Sequence, residues 1–144
     1  MKAVIQRVKR ASVRAGELEA AIGPGLLVLV GLETGDTAET CAWAAAKIAS
    51  LRIFEDTDGK MNLGLVEVGG EILAVSQFTL AGSLARGRRP SLDGAMAPEA
   101  ARALFATFLE QLRAQHPRTK SGFFQEHMAV ELVNDGPVTF ILER

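Results

Sequence analysis

Alternation of apolar and polar positions divides the chain into short strands and two longer helices. Ala3-Val4-Ile5-Gln6-Arg7-Val8 and Ala11-Ser12-Val13-Arg14-Ala15 follow a period of two and run into a Gly16-Glu17 turn, so the chain is expected to open with a β-hairpin. After Gly23-Pro24-Gly25, the run Leu26-Leu27-Val28-Leu29-Val30-Gly31-Leu32 is continuously apolar and of strand length, the pattern of a central strand buried on both faces. Asp36 and Glu39 have N-cap and N3 spacing, and Ala38, Cys41, Ala42, Ala45, Ile48 and Ala49 form an apolar stripe at helical period. That stripe predicts a helix from about Thr37 to Leu51. Leu51-Arg52-Ile53-Phe54 reads as a short strand entering the polar turn Glu55 to Lys60. Val66 and Val68, then Ile72, Leu73 and Val75, flank Gly69-Gly70 as a second hairpin would, its last strand ending in Ser76-Gln77-Phe78-Thr79-Leu80. Ala97-Pro98-Glu99 opens a second helix, with Leu104, Phe105, Phe108, Leu109 and Leu112 as its core face and His116-Pro117 as its stop. Strands near Met128–Val133 and Val138–Glu143 close the chain around Val133-Asn134-Asp135-Gly136-Pro137-Val138-Thr139, whose residues favour a hairpin turn.

Composition narrows the class. The 144 residues, 48% of them hydrophobic and 23% charged, suffice for one domain with a real core, spanning residues 1–144. No apolar run reaches the ~18 residues of a membrane span, and Met1-Lys2-Ala3-Val4 lacks a signal-peptide pattern, so a soluble cytoplasmic protein without membrane contact is expected. Cys41 is the sole cysteine and reads as a small buried apolar residue of the first helix. A net charge of −1 conceals two basic clusters: Lys2, Arg7, Lys9, Arg10 and Arg14 precede the first acidic residue, and Arg86, Arg88 and Arg89 follow later. Such clusters suit phosphate or nucleic acid, and they equally suit solvated surface.

Several motifs fail on inspection. Gly23-x-Gly25 has Val28 where a dinucleotide site needs its third glycine, and it leads into a strand. Gly82 and Gly87 have the gap of a phosphate loop, but Arg88-Arg89 replaces the Lys-Ser/Thr pair; the segment reads as a mobile basic loop. Asp56, Asp58 and Glu67 fit a calcium loop at three positions, yet Lys60 and Met61 occupy a ligand and the required glycine, leaving a solvated hairpin turn.

Two segments are chemically unusual. Ser76, Gln77 and Thr79 place two hydroxyls and an amide at the end of an apolar strand, where side chains are commonly delivered into sites. Gly136-Pro137 presents backbone carbonyls with almost no side chain around them. Read together, Ser76-Gln77-Phe78-Thr79-Leu80 and Asn134-Asp135-Gly136-Pro137-Val138-Thr139 resemble the two signature motifs of the D-aminoacyl-tRNA deacylase family. The resemblance extends through Ala3–Val8, Gly23-Pro24-Gly25-Leu26-Leu27, Leu51–Phe54, Lys60-Met61-Asn62-Leu63 and Gly87-Arg88-Arg89-Pro90-Ser91. The chain departs from the family pattern at Gln125-Glu126-His127, where Gly-Ala-Asp is common, and at Ala81, where Tyr is common.

The resemblance implies an α+β single domain with a mixed, mostly antiparallel, partly barrel-like sheet and two main helices on one side, assembled as a homodimer. It implies hydrolysis of D-aminoacyl-tRNA and mischarged glycyl-tRNA, with Ser76, Gln77, Phe78, Thr79 and Thr139 as catalytic residues. A cis Gly136-Pro137 tip reaching into the partner's pocket would reject L-aminoacyl groups, and Arg7, Arg86, Arg88 and Arg89 would hold tRNA phosphates. No metal or organic cofactor is implied. Either a threonine hydroxyl attacks the ester, or backbone N–H groups including that of Phe78 bind the oxyanion while the tRNA ribose hydroxyl assists water; the motifs contain no base, which favours the second. His116 and His127 lie outside the signatures and read as surface or packing residues. A non-catalytic RNA-binding dimer and a deacylase of altered selectivity are the alternatives.

Overall fold

The computed structural model describes residues 1–144. Its main sheet contains β1 (Lys2–Ala15), β2 (Leu18–Ile22), β3 (Gly25–Gly31), β6 (Glu71–Ser76), β7 (Thr119–Ser121) and β8 (Ala129–Glu143). The order is β2-β1-β3-β6-β7, with β8 along the remaining edge of β1. β1 is antiparallel to β2, β3 and β8, whereas β3–β6 and β6–β7 are parallel, so the sheet is mixed. The helices α1 (Ala38–Ala49) and α3 (Pro98–Gln115) cover one face, α2 (Leu65–Val68) is a single turn, and β4 (Phe54–Glu55) with β5 (Met61–Leu63) forms a separate hairpin. No helix is long and apolar enough to cross a membrane.

Side-chain alternation explains why the sheet has a core on each face. Leu26, Val28 and Val30 of β3, with Ile72 and Ala74 of β6, pack beneath Cys41, Ala45 and Ile48 of α1 and Phe105, Phe108 and Leu112 of α3. Leu27, Leu73 and Val75 point the other way and meet Val8, Ala11, Val13 and Ile22, where the sheet curls over itself into an incomplete barrel. The uninterrupted apolar run of β3 is therefore what two buried faces require. In β1 the inward sequence is Val8, Ala11, Val13, one residue longer than strict alternation allows. The ladder shifts between Val8 and Arg10, and exposed Lys9 and Arg10 take up the extra residue as a β-bulge.

The C-terminal hairpin expected from Asn-Asp-Gly-Pro is absent. β8 is one strand that pairs with β1 on both sides of the motif, Gln6 opposite Thr139 and Val8 opposite Asn134. Asp135, Gly136, Pro137 and Val138 thus stand opposite Arg7 alone and are pushed out as a wide bulge. The Gly136–Pro137 peptide is cis and Gly136 has φ +133°.

Smaller differences have local causes. Thr37, not Asp36, caps α1: Thr37 and Thr40 satisfy each other's backbone N–H at 3.3 and 3.4 Å. Asp36 instead accepts from Glu33 N and from the Met1 ammonium, at 2.7 and 2.8 Å. Val66 and Val68 belong to α2, not to a strand, because the Glu67 carboxylate bonds Gly64 N–H and the left-handed Gly69 closes the turn. The expected strand at Leu51–Phe54 contracts to Phe54–Glu55. Asp56 accepts from the N–H groups of Asp58 and Lys60, as a solvated turn requires.

Gly25 is explained by close strand approach, since a Cβ there would lie 1.9 Å from the Glu71 carbonyl oxygen. The Glu71 carboxylate accepts from Gly23 N–H at 2.9 Å and lies 3.6 Å from Lys120 Nζ. The Gly23 bond lowers its pKa most, outweighing burial, with Lys120 and Arg118 adding to the effect. A carboxyl depressed in the folded state stabilises above the unfolded range near 4.5, and the contribution is lost as pH falls through the lower folded value. Glu71→Gln is expected to lose about 1 kcal/mol at neutral pH, a difference that closes in acid; urea unfolding of both proteins across that range checks it.

Candidate active site

The end of β6 is shaped by Gly31 on the neighbouring strand. Gln77 N–H donates to Val30 O at 2.7 Å as a last rung, and the chain then turns into one turn of 3₁₀ helix, Phe78–Ala81. A Cβ on Gly31 would lie 2.8 Å from Leu80 Cβ and 3.0 Å from Gln77 O, so glycine is what lets this turn fold over the end of β3. Gly82 closes the turn under the same constraint, 2.9 Å from Thr79 O.

A cleft of about 420 Å³ opens beside this turn. Leu32, Val75, Met96, Ala101, Phe124 and Met128 give it an apolar lining. Ser76, Gln77, Gln125, Glu126 and His127 supply polar groups, and Phe78, 57% exposed, stands at its edge. The segment beyond Leu32 is tied down by the Met1 ammonium, 2.9 Å from Glu33 and 2.8 Å from Asp36. Burial would lower the pKa of that ammonium, but its bonds to Asp36 and Glu33 together outweigh burial and raise it.

The expected site residues separate into three places. Ser76, Gln77 and Phe78 line the cleft. Thr79 lies exposed on the 3₁₀ turn, its hydroxyl accepting from Gln77 Nε2 at 2.6 Å. Thr139, Gly136 and Pro137 belong to the β8 bulge and do not line the cleft of their own chain. The Thr139 hydroxyl accepts from Gln6 Nε2 at 3.2 Å and Asn134 Nδ2 at 3.4 Å. Both threonines therefore have amide partners where a nucleophile would need a base.

The bulge is held from both ends. The Asn134 side chain accepts from Val138 N–H at 2.9 Å, bridging its base. Arg7 corrects the sequence reading: its side chain is 5% exposed, facing inward as the alternation Ala3, Ile5, Arg7 requires. Its guanidinium donates to Asp135 O at 3.1 Å, Ile53 O at 2.8 Å and Glu55 Oε1 at 3.2 Å. Its donors are directed to these groups, so Arg7 ties the bulge to the Ile53–Glu55 segment. Arg86, Arg88 and Arg89 are exposed in a loop closed by paired bonds between Ser83 and Ser91 at 2.8 and 3.0 Å.

Gln125, Glu126 and His127 are cleft residues that the alternation did not single out. His116 is buried with its ring nitrogen 3.0 Å from Gly70 O, and Ala81 is buried beside the turn. Burial pushes the Cys41 thiol up to about 11, so it is an inert packing residue.

The geometry is that of a small α+β domain with hydroxyl, amide and backbone groups at the edge of an apolar cleft and, apart from it, a protruding backbone tip. A family model described as D-Tyr-tRNA(Tyr) deacylase matches residues 4–143, and the chain belongs to that family. It is 59% identical over 145 residues to the D-aminoacyl-tRNA deacylase of Pelobacter propionicus, covering 100% of both chains. To that of Geobacter sulfurreducens it is 57% identical over 144 residues, covering 99% of this chain and 95% of the other. A solved structure titled c-Myc DNA Unwinding Element Binding Protein superposes with TM-score 0.93 at 43% identity, covering 100% of this chain and 99% of that one. One titled a probable eukaryotic D-amino acid tRNA deacylase shares the fold at TM-score 0.87 and 17% identity, covering 98% and 97%.

Proposed function

We propose that the protein hydrolyses the ester joining a D-amino acid, or mischarged glycine, to the terminal ribose of tRNA, and spares L-aminoacyl-tRNA. The observation that carries this reading is the bulge at Asp135–Val138: its tip, Gly136-Pro137, is exposed, is anchored through Asp135 by Arg7, and lies outside the cleft of its own chain. A tip so placed fits the cleft of a second copy. β8 supports that assembly, because this fifteen-residue strand pairs only with β1 and exposes Phe140 and Ile141 at 43% and 71%. In the dimer the carbonyls at Gly136 and Pro137 face the aminoacyl group, where an L side chain collides and a D side chain points away. Selection is then by penalty on the wrong substrate.

The cleft takes the apolar part of the aminoacyl-adenosine end, while Ser76 and Gln77 orient its ribose and amino group. The first N–H groups of a helical turn have no acceptor within it, which leaves that of Phe78 available to a developing oxyanion. With only amides beside Thr79 and Thr139, the ribose hydroxyl of the substrate assists the attacking water. Arg86, Arg88 and Arg89 meet phosphates of the acceptor stem, in the cytoplasm where charged tRNA resides.

Deacylation of D-Tyr-tRNA and L-Tyr-tRNA at one ionic strength, beside an enzyme-free control, tests the reading. Rapid loss of the D ester alone is expected; binding without turnover of either ester replaces the enzyme by an RNA-binding module. Thr79→Ala and Thr139→Ala are each expected to keep kcat within about tenfold, the cost of one neutral hydrogen bond. A loss of about 10⁴-fold in either folded variant would establish a threonine nucleophile instead.

A further inference from the structure

We infer that Arg102 of α3 is a positioning residue for the cleft, acting through Gln125; this rests on the reading that the cleft holds the aminoacyl end of tRNA. Gln125 is the one non-glycine residue with positive φ, at +64°. For a residue with a Cβ that conformation is disfavoured, so something must hold it. Arg102 does so from the neighbouring helix. Its Nη2 donates to Gln125 Oε1 at 2.5 Å, and its guanidinium lies 4.8 Å from the centroid of the Phe124 ring. Phe124 in turn packs on Phe105 of the core, with ring centroids 6.0 Å apart, which gives the clamp a rigid base.

The residues so held are cleft residues. Phe124, Gln125, Glu126, His127 and Met128 form one continuous stretch of its lining. Before them, Gly122 lies so close to Val75 and Met128 that a Cβ would come within 3.3 and 3.2 Å. The stretch is therefore fixed at its start by packing and at its middle by the Glu126 N–H bond to Phe123 O at 3.4 Å together with Arg102. Without Arg102, Gln125 loses a partner that favours its positive φ, the turn rests on the bond from Glu126 N–H to Phe123 O alone, and the wall formed by Phe124, Glu126 and His127 loosens. Arg102 need not touch substrate to matter. It sets the width of the space the substrate end enters, and its influence falls on binding more than on the bond-breaking step.

The test uses full-length wild type, Arg102→Ala, Gln125→Gly and the double variant, each read in two ways. Steady-state deacylation of D-Tyr-tRNA gives KM and kcat separately. Hydrogen exchange of the amides between Gly122 and Val130 reports the wall without reference to activity. Alanine is a good helix former at an exposed position, so Arg102→Ala keeps α3. Its KM is expected to rise about 5- to 30-fold, the factor equivalent to the left-handed penalty of a non-glycine residue, with faster exchange across the segment. Its kcat stays within about twofold, as for loss of uniform binding. Gln125→Gly keeps wild-type exchange across the segment, because glycine adopts positive φ freely. The double variant recovers most of the lost affinity and protection for the same reason.

Unchanged KM and unchanged exchange in Arg102→Ala would overturn the inference. So would a double variant as impaired as Arg102→Ala, which would mean that Arg102 contacts the tRNA itself. If wild type cleaved neither ester, the functional reading would fall, while the exchange series would still decide whether Arg102 holds Gln125 and the wall.

Discussion

Gly136→Ala is expected to fold and to lose D-aminoacyl-tRNA hydrolysis. A Cβ at this position would lie 2.8 Å from Val138 Cγ2 and 2.9 Å from Val138 N, at a backbone φ of +133° that only glycine adopts readily. The close contact to backbone cannot be relieved by rotating a side chain, so the bulge itself has to change shape. The strain, of order 1–3 kcal/mol, is small beside the roughly 5–15 kcal/mol of a typical domain, and the cooperative melt survives at a lower temperature. Function does not tolerate the same movement. The proposed filter consists of backbone groups at Gly136 and Pro137 that pack against the aminoacyl group, and a tip moved into that space displaces the ester by about 1 Å, which costs about 10²-fold. The measurement is kcat/KM on D-Tyr-tRNA with L-Tyr-tRNA alongside. A folded Gly136→Ala protein with full D activity and full L rejection would show that the tip plays no part in selection.

The difference between a hairpin turn and this bulge marks the limit of what the sequence carries. Asn134, Asp135, Gly136 and Pro137 satisfy local turn chemistry, and that chemistry is the same whether the chain reverses or bows outward. What decides is β1, more than a hundred residues away, whose Gln6 and Val8 pair with Thr139 and Asn134 on either side. By contrast, β3 and α3 were legible because their patterns report burial directly: a continuous apolar run for two buried faces, and a stripe at helical period for one. α2 imitated a strand because Val66 and Val68 alternate, yet both are exposed, and it is the caps at Gly64 and Gly69 that select the helical turn. The place of Ser76 and Gln77 at the cleft was legible as polarity where a strand should be apolar. The wall at Gln125–His127 was marked only by its departure from the family pattern, because positive φ at a glutamine leaves no trace in the alternation of apolar and polar positions.

Arg7 was legible in one sense and misread in another. Its position in the alternation Ala3, Ile5, Arg7 points inward, while its charge and its basic neighbours suggest surface; burial of the side chain to 5% exposure shows that position outweighs charge. Arg7→Met and Arg7→Lys are therefore expected to destabilise the protein by about 2–4 kcal/mol, since the Ile53 and Asp135 carbonyls each lose a donor. Methionine restores the apolar stem but no donor. Lysine restores a charge, yet one ammonium cannot reproduce a planar fork that reaches Ile53, Glu55 and Asp135 together. Activity falls with stability in both, because Arg7 stands opposite the whole bulge and ties Asp135, the residue that precedes the tip. Arg88→Ala and Arg89→Ala give the opposite signature: unchanged urea midpoints, with weaker tRNA binding and a salt dependence shallower by about one unit of log K per log salt for each phosphate contact removed. Equilibrium unfolding and salt-titrated binding on the same four proteins separate the two roles. An Arg7 variant with wild-type stability and a shallower salt slope would return Arg7 to the tRNA surface and leave the bulge to be held by Asn134 alone.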